Sequence, residues 1–127
     1  MKIAALIARI LLGLIFLVFG SNVFFHFIPM QLPPGTAGQF MAALFVSHYV
    51  IVIGLLEIIP AILLLINRYV PLALTLLAPV IVNIFFFHVL MSPIGLPLAI
   101  VVIILWIITA LSVKSAFAGL FQQKATS

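Results

Sequence analysis

Long apolar runs, interrupted by one acidic side chain and five basic ones, leave this chain a single class of solvent. Glu57 is its only acid, and Lys2, Arg9, Arg68, Lys114 and Lys124 are its only lysines and arginines. A soluble domain needs roughly a quarter of its residues charged to cover its surface, whereas here 5% are charged and 68% are apolar. The apolar stretches therefore read as membrane spans of about 20 residues each. The 127 residues have room for four such spans with short connections and no soluble domain. The expected fold is all-α: a four-helix transmembrane bundle forming a single membrane domain over 1–127.

The basic balance does not point to nucleic acid, because five scattered positive charges make no patch. Cysteine is absent, which removes disulfides, thiol chemistry and cysteine metal sites and leaves the redox compartment unread. The first 20 residues resemble a signal peptide, with Lys2, an apolar run, then Gly20 and Ser21. Arg9 interrupts that pattern, and Phe19 and Phe24 crowd the would-be processing site. The segment is therefore expected to remain as the first helix.

Prolines and glycines punctuate the runs. The first helix is expected over 3–28, stopped by Pro29 and the Pro33-Pro34-Gly35 loop. The next apolar segment, 37–66, would extend ~45 Å as one helix, more than a ~30 Å hydrocarbon core. Either it tilts and protrudes, or 37–47 forms a separate interfacial piece with the break at Ser47-His48 and a helix proper over 48–66. Asn67-Arg68-Tyr69 reads as a tight turn, and Pro71 suits the first turn of a helix over 70–91. Ser92-Pro93-Ile94-Gly95 is the next turn, before a last helix over 97–117.

Orientation follows from the bases. In a four-span arrangement Lys2, Arg9, Arg68, Lys114 and Lys124 all fall on one side, and the loops near 29–40 and 92–97 carry no charge. Both termini are expected on the cytoplasmic side. The segment from Asn22 to His26 is echoed by that from Asn83 to His88, each soon followed by proline. A tandem duplication of a two-helix unit would produce this echo, and so would chance in a chain with 12 Phe.

Ionisable groups within a bilayer are costly and usually face the interior of a bundle. Glu57 precedes the Arg68 turn by 11 residues, which puts it ~16 Å deep, near the midplane. Asn83 is expected at a similar or slightly shallower level on the outer side, and Asn22, His26, His48 and His88 in the outer third or at the outer interface. Polar groups thus trace a path from the midplane to the outer face. Glu57 has two readings: a structural ion pair with Arg9 or a neutral acid joining helices, and a proton-accepting group for a bound ligand. The histidines lack the spacing to converge on a metal, which wants three or four ligands around one point, so no metal site is expected. Asn22 and His26 are four apart and share a helix face. Asn83 and His88 are five apart and splay by roughly 140°, so they share a cavity only if Pro79 kinks the helix. Phe24, Phe25, Phe85 and Phe86 would wall a quinone-type pocket, although phenylalanine at such spacing more often packs against lipid or core. Gly13 and Gly20 lie two turns apart on the stripe of Arg9 and Phe16, the expected contact face of the first helix.

These residues carry a resemblance. The segment RILLGLIFLVFG from Arg9 to Gly20 resembles the opening of DoxX-family membrane proteins. The likeness continues through Gly38-Gln39-Phe40, the Glu57 helix, and VPLALTLLAPVIVN from Val70 to Asn83 with the His88 that follows. The resemblance implies a compact four-helix bundle in a bacterial inner membrane, with Arg9, Glu57, Asn83 and His88 at recurring polar positions. It also implies subunits linked to quinone-dependent sulfur oxidation or other membrane redox complexes, and, among more distant relatives, assembly factors or chaperones. A dithiol mechanism is out of reach without cysteine.

The leading expectation is an accessory subunit of a membrane redox assembly that binds a quinone or similar lipophilic ligand. Glu57, Asn83, His88, Asn22 and His26 are the candidate ligand-binding residues. Glu57 would exchange a proton, and His88 or Asn83 would hydrogen-bond the ligand oxygen. The alternative is a non-catalytic assembly factor that packs against another membrane protein. Expected partners are the lipid bilayer and other membrane subunits or further copies of the chain, and independent catalysis by the isolated chain is not expected.

Overall fold

The computed structural model describes residues 2–29 and 31–125. Its architecture is all-α, with no strand among the described residues. Helix α1 spans Lys2–Phe25, α2 Gly35–Val46, α3 Tyr49–Leu65, α4 Val70–Leu90 and α5 Leu96–Ser112. Short 3-10 segments occupy Pro93–Gly95 and Lys114–Phe121. Among the described residues, three helical stretches are long and apolar enough to cross a membrane: α1, α4 and Pro93–Ser112. A fourth crossing exists if α2 and α3, bent by 88° at their junction, count as one broken span.

Each helix ends for a local reason. α1 stops at Phe25 rather than at 28, because His26 takes a left-handed conformation, φ 52°. The Asn22 side chain then holds the departing chain: its Oδ1 accepts from the Ile28 N–H at 2.7 Å and its Nδ2 donates to the Ile28 carbonyl at 3.4 Å. α2 begins after Pro33-Pro34 and ends at Ser47. There His48, also left-handed at φ 64°, turns the chain through nearly a right angle, and the Ser47 hydroxyl receives the Tyr49 N–H at 3.2 Å. Asn and His are among the residues that tolerate this region best. α3 closes with a Schellman motif around Asn67, φ 56°: Asn67 N–H donates to the Leu64 carbonyl and Arg68 N–H to the Leu63 carbonyl. The regular part of the last helix ends at Ser112, short of 117, and continues only as the 3-10 segment.

α1 packs most closely on α3 and also on α5, while α4 packs on the same two helices. The α1–α3 approach depends on missing side chains. A Cβ on Gly13 would stand 2.9 Å from Leu65 Cγ, and one on Gly20 would stand 2.8 Å from Ile58 Cγ1 and 3.1 Å from Glu57 Cβ. Small residues at such contacts let membrane helices come together through van der Waals packing where no hydrophobic force drives them. The core between the helices is filled by Leu12, Phe16, Leu64, Leu74, Leu77 and Val102. Trp106 Nε1 donates to the Leu74 carbonyl at 2.9 Å, tying α5 to α4. The outward faces are largely apolar, from Leu14 and Val52 to Leu72 and Ile104, as a lipid-facing surface requires, with Thr75 and Asn83 of α4 as polar exceptions.

Candidate functional site

The bend at His48 carries α2 away from the other helices and opens a space between them. The end of α1, the second half of α2 and the first half of α3 line an open cavity of about 680 Å³, with Ile84 of α4 on its remaining side. Cavities of roughly 300–1,000 Å³ suit small-molecule ligands. The walls are mostly apolar, with Phe19, Val23, Leu32, Met41, Phe45 and Ile53 among them. Three polar side chains reach it: Glu57, Asn22 and His26.

Glu57 stands opposite Gly20 of α1 and is 8% exposed. Its carboxyl has no hydrogen bond or ion pair among the described residues. Its oxygens are not shut off within the packing either, so they face the cavity. A buried polar group without a partner is unfavourable, and whatever occupies the cavity is placed to supply one. Asn22, 4% exposed, frames the rim through its two bonds to Ile28. His26 is exposed at the mouth, about 9 Å further along the chain direction than Gly20, and its N–H donates to the Asn22 carbonyl at 2.9 Å.

The other sequence-predicted residues lie elsewhere. Arg9 does not pair with Glu57: its guanidinium donates to the Leu64 carbonyl, at the end of α3. That end carries the negative pole of the helix dipole and carbonyls without helical donors, which explains the choice. Asn83 is exposed on the outer face of α4, with Nδ2 donating to the Pro79 carbonyl at 2.7 Å. Back-bonding to a carbonyl four residues earlier meets part of the amide's needs without an inward neighbour. His88 also lies outside the cavity, its Nδ1 3.0 Å from the Ser92 carbonyl. Its ring lies against Gly95, where a Cβ would stand 2.2 Å from Cε1, so it braces the α4–α5 turn. The echoing segments are thus built differently: His26 ends a helix, whereas His88 lies within one.

The expected aromatic walls are also redistributed. Phe24 and Phe25 are exposed at the end of α1. Phe85 and Phe86 line a separate apolar groove of about 310 Å³ between α4 and α5. The cavity instead takes much of its wall from α2, through Met41, Leu44 and Phe45. The only sequence signal for that wall was an apolar segment too long for one span. No group of three or more His, Asp or Glu side chains among the described residues is placed to hold a metal ion.

A sequence profile of the DoxX family matches residues 4–89, from the start of α1 almost to the end of α4, with Arg9, Asn22, His26, Glu57, Asn83 and His88 inside the match. No curated protein and no solved structure matches the chain. With about two thirds of its length in the profile and an all-α, membrane-spanning architecture around it, the chain belongs to the DoxX family.

Proposed function

We propose that this protein is a four-span accessory subunit of a redox assembly in a bacterial inner membrane, and that it holds a quinone-like lipophilic ligand in the cavity beside α2. The observation that carries this reading is the Glu57 carboxyl, buried in apolar walls, without a partner among the described residues and facing a cavity of about 680 Å³. A ligand with a flat apolar body and a polar oxygen suits that combination. The body packs among Phe19, Met41 and Phe45, and the oxygen meets Glu57, which exchanges a proton with it. His26 stands where a second oxygen would reach the mouth, and Asn22 holds the rim in shape.

Both termini lie in the cytoplasm in this reading, which is supported by the five bases at the other end of the helices from the cavity. The α2 helix, turned across the direction of α3, then lies along the outer interface, and the ligand enters from the lipid. The electron donor or acceptor belongs to the rest of the assembly.

Mass spectrometry of the protein purified in mild detergent tests the proposal. A quinone is expected to co-purify, and Glu57→Gln is expected to lower its occupancy while leaving helix content unchanged. Wild-type protein that carries no quinone but recovers one specific membrane partner would support the assembly-factor reading instead. Equal occupancy in wild type and Glu57→Gln would remove Glu57 from the site.

A further inference from the structure

Asn83 presents a polar group where lipid should be. It lies 7 residues before the end of α4 at Leu90, about 10 Å inside that end, beyond the reach of the headgroups for so short a side chain. The side chain lies on the exposed side of α4, flanked by Val82 and Phe86, each 52% exposed. Its amide has two N–H donors and an acceptor oxygen, and only one donor is spent, on the Pro79 carbonyl. One turn away Pro79 has no N–H to offer the carbonyl of Thr75, on the same exposed side of the helix. Hydrocarbon satisfies none of these groups.

We propose that the α4–α5 face is the interface of a symmetric dimer of this chain, with the Asn83 side chains of two copies hydrogen-bonded to each other within the bilayer. A neutral amide is its own complement: across a twofold axis each copy gives one N–H and receives one. The surrounding shape suits the same operation. Val82 and Phe86 stand beside Asn83 and belong to the wall of the apolar groove between α4 and α5, together with Ala78, Ile81, Phe85, Ile103 and Trp106. Asn83 and this groove lie on the exposed side of the α4–α5 pair, so across a twofold axis each copy presents the same surface to the other and the contact closes on itself. No charged residue occurs between Arg68 and Lys114, so α4 and α5 bring no like charges together within the membrane. This surface is distinct from the Glu57 cavity, and the two proposals stand or fall separately.

The chain has no cysteine, so a single introduced thiol reports its own position. Full-length Asn83→Cys in lipid bilayers, oxidised with copper phenanthroline, is expected to give a dimer-sized product. Val18→Cys, exposed on α1, is expected to give little. Self-association of unmodified protein, followed by energy transfer between labelled copies during lipid dilution, is expected to weaken about 3- to 30-fold in Asn83→Leu and to recover partly in Asn83→Gln. Equal crosslinking at the two positions, monomers at every dilution, or an Asn83→Leu variant that associates like wild type would each overturn the proposal.

Discussion

Arg9 and Glu57 are a base and an acid on adjacent, tightly packed helices, yet they do not pair. Leu64, which receives Arg9, lies seven residues beyond Glu57 along α3, or about 10 Å. At that point Arg9 supplies a charged donor to a helix end that favours cations. Arg9→Met is expected to lower stability by about 1.5–3 kcal/mol, the value of a hydrogen bond to a charged group. The midpoint of thermal unfolding in detergent measures it, and Arg9→Lys should recover part of the loss. Glu57 behaves in the opposite sense. Because its carboxyl has no partner among the described residues, Glu57→Leu is expected to raise the unfolding midpoint while abolishing ligand occupancy, the pattern of a group kept for function at some expense of stability. A marked fall in the midpoint would instead make Glu57 a structural tie between helices.

At the scale of elements, the junctions and one close approach position the cavity. His48 adopts φ 64°, a conformation that disfavours side chains by roughly 1–2 kcal/mol and is free for glycine. His48→Gly is therefore expected to preserve stability. His48→Ile, branched at Cβ, should lose about 1–2 kcal/mol and loosen α2 from the cavity, which denaturant unfolding and proteolysis near residue 48 would register. On α1, Gly20 admits the α3 backbone beside Glu57. Gly20→Leu is expected to cost about 1–3 kcal/mol through overpacking and to reduce ligand occupancy by pushing α1 from α3. Trp106, the chain's one tryptophan, lies on the α4–α5 side. Its emission should shift little in Gly20→Leu if the disturbance stays local.

The whole molecule is apolar on nearly every outward face, so bilayer, ligand and partner meet surfaces that differ mainly in their few polar groups. Its basic residues concentrate at one end and the cavity mouth lies at the other. With no cysteine to mask, Thr36→Cys at the start of α2 and Ser115→Cys beyond α5 form a clean pair, both exposed. A membrane-impermeant thiol reagent applied to spheroplasts is expected to label Thr36→Cys directly and Ser115→Cys only after permeabilisation. The reverse pattern would invert the topology.

The amino-acid sequence by itself determined the solvent, the all-α architecture and the apolar runs, because these depend on composition and on what a backbone can do in lipid. It also offered a break at Ser47-His48 as one of two readings of an over-long segment, and the glycine stripe of α1, since polarity and a missing Cβ act locally. Only the tertiary structure decided which polar groups share a space. Glu57, Asn22 and His26 meet at one cavity, while Asn83 and His88 turn elsewhere. That outcome depends on how far each helix is rotated about its own axis, which the packing of neighbouring helices sets. It depends also on the ability of amides, imidazoles and guanidiniums to satisfy themselves against nearby carbonyls. A polar residue in an oily helix therefore announces a need for a partner without saying whether the partner is one turn away, on another helix, or in another molecule.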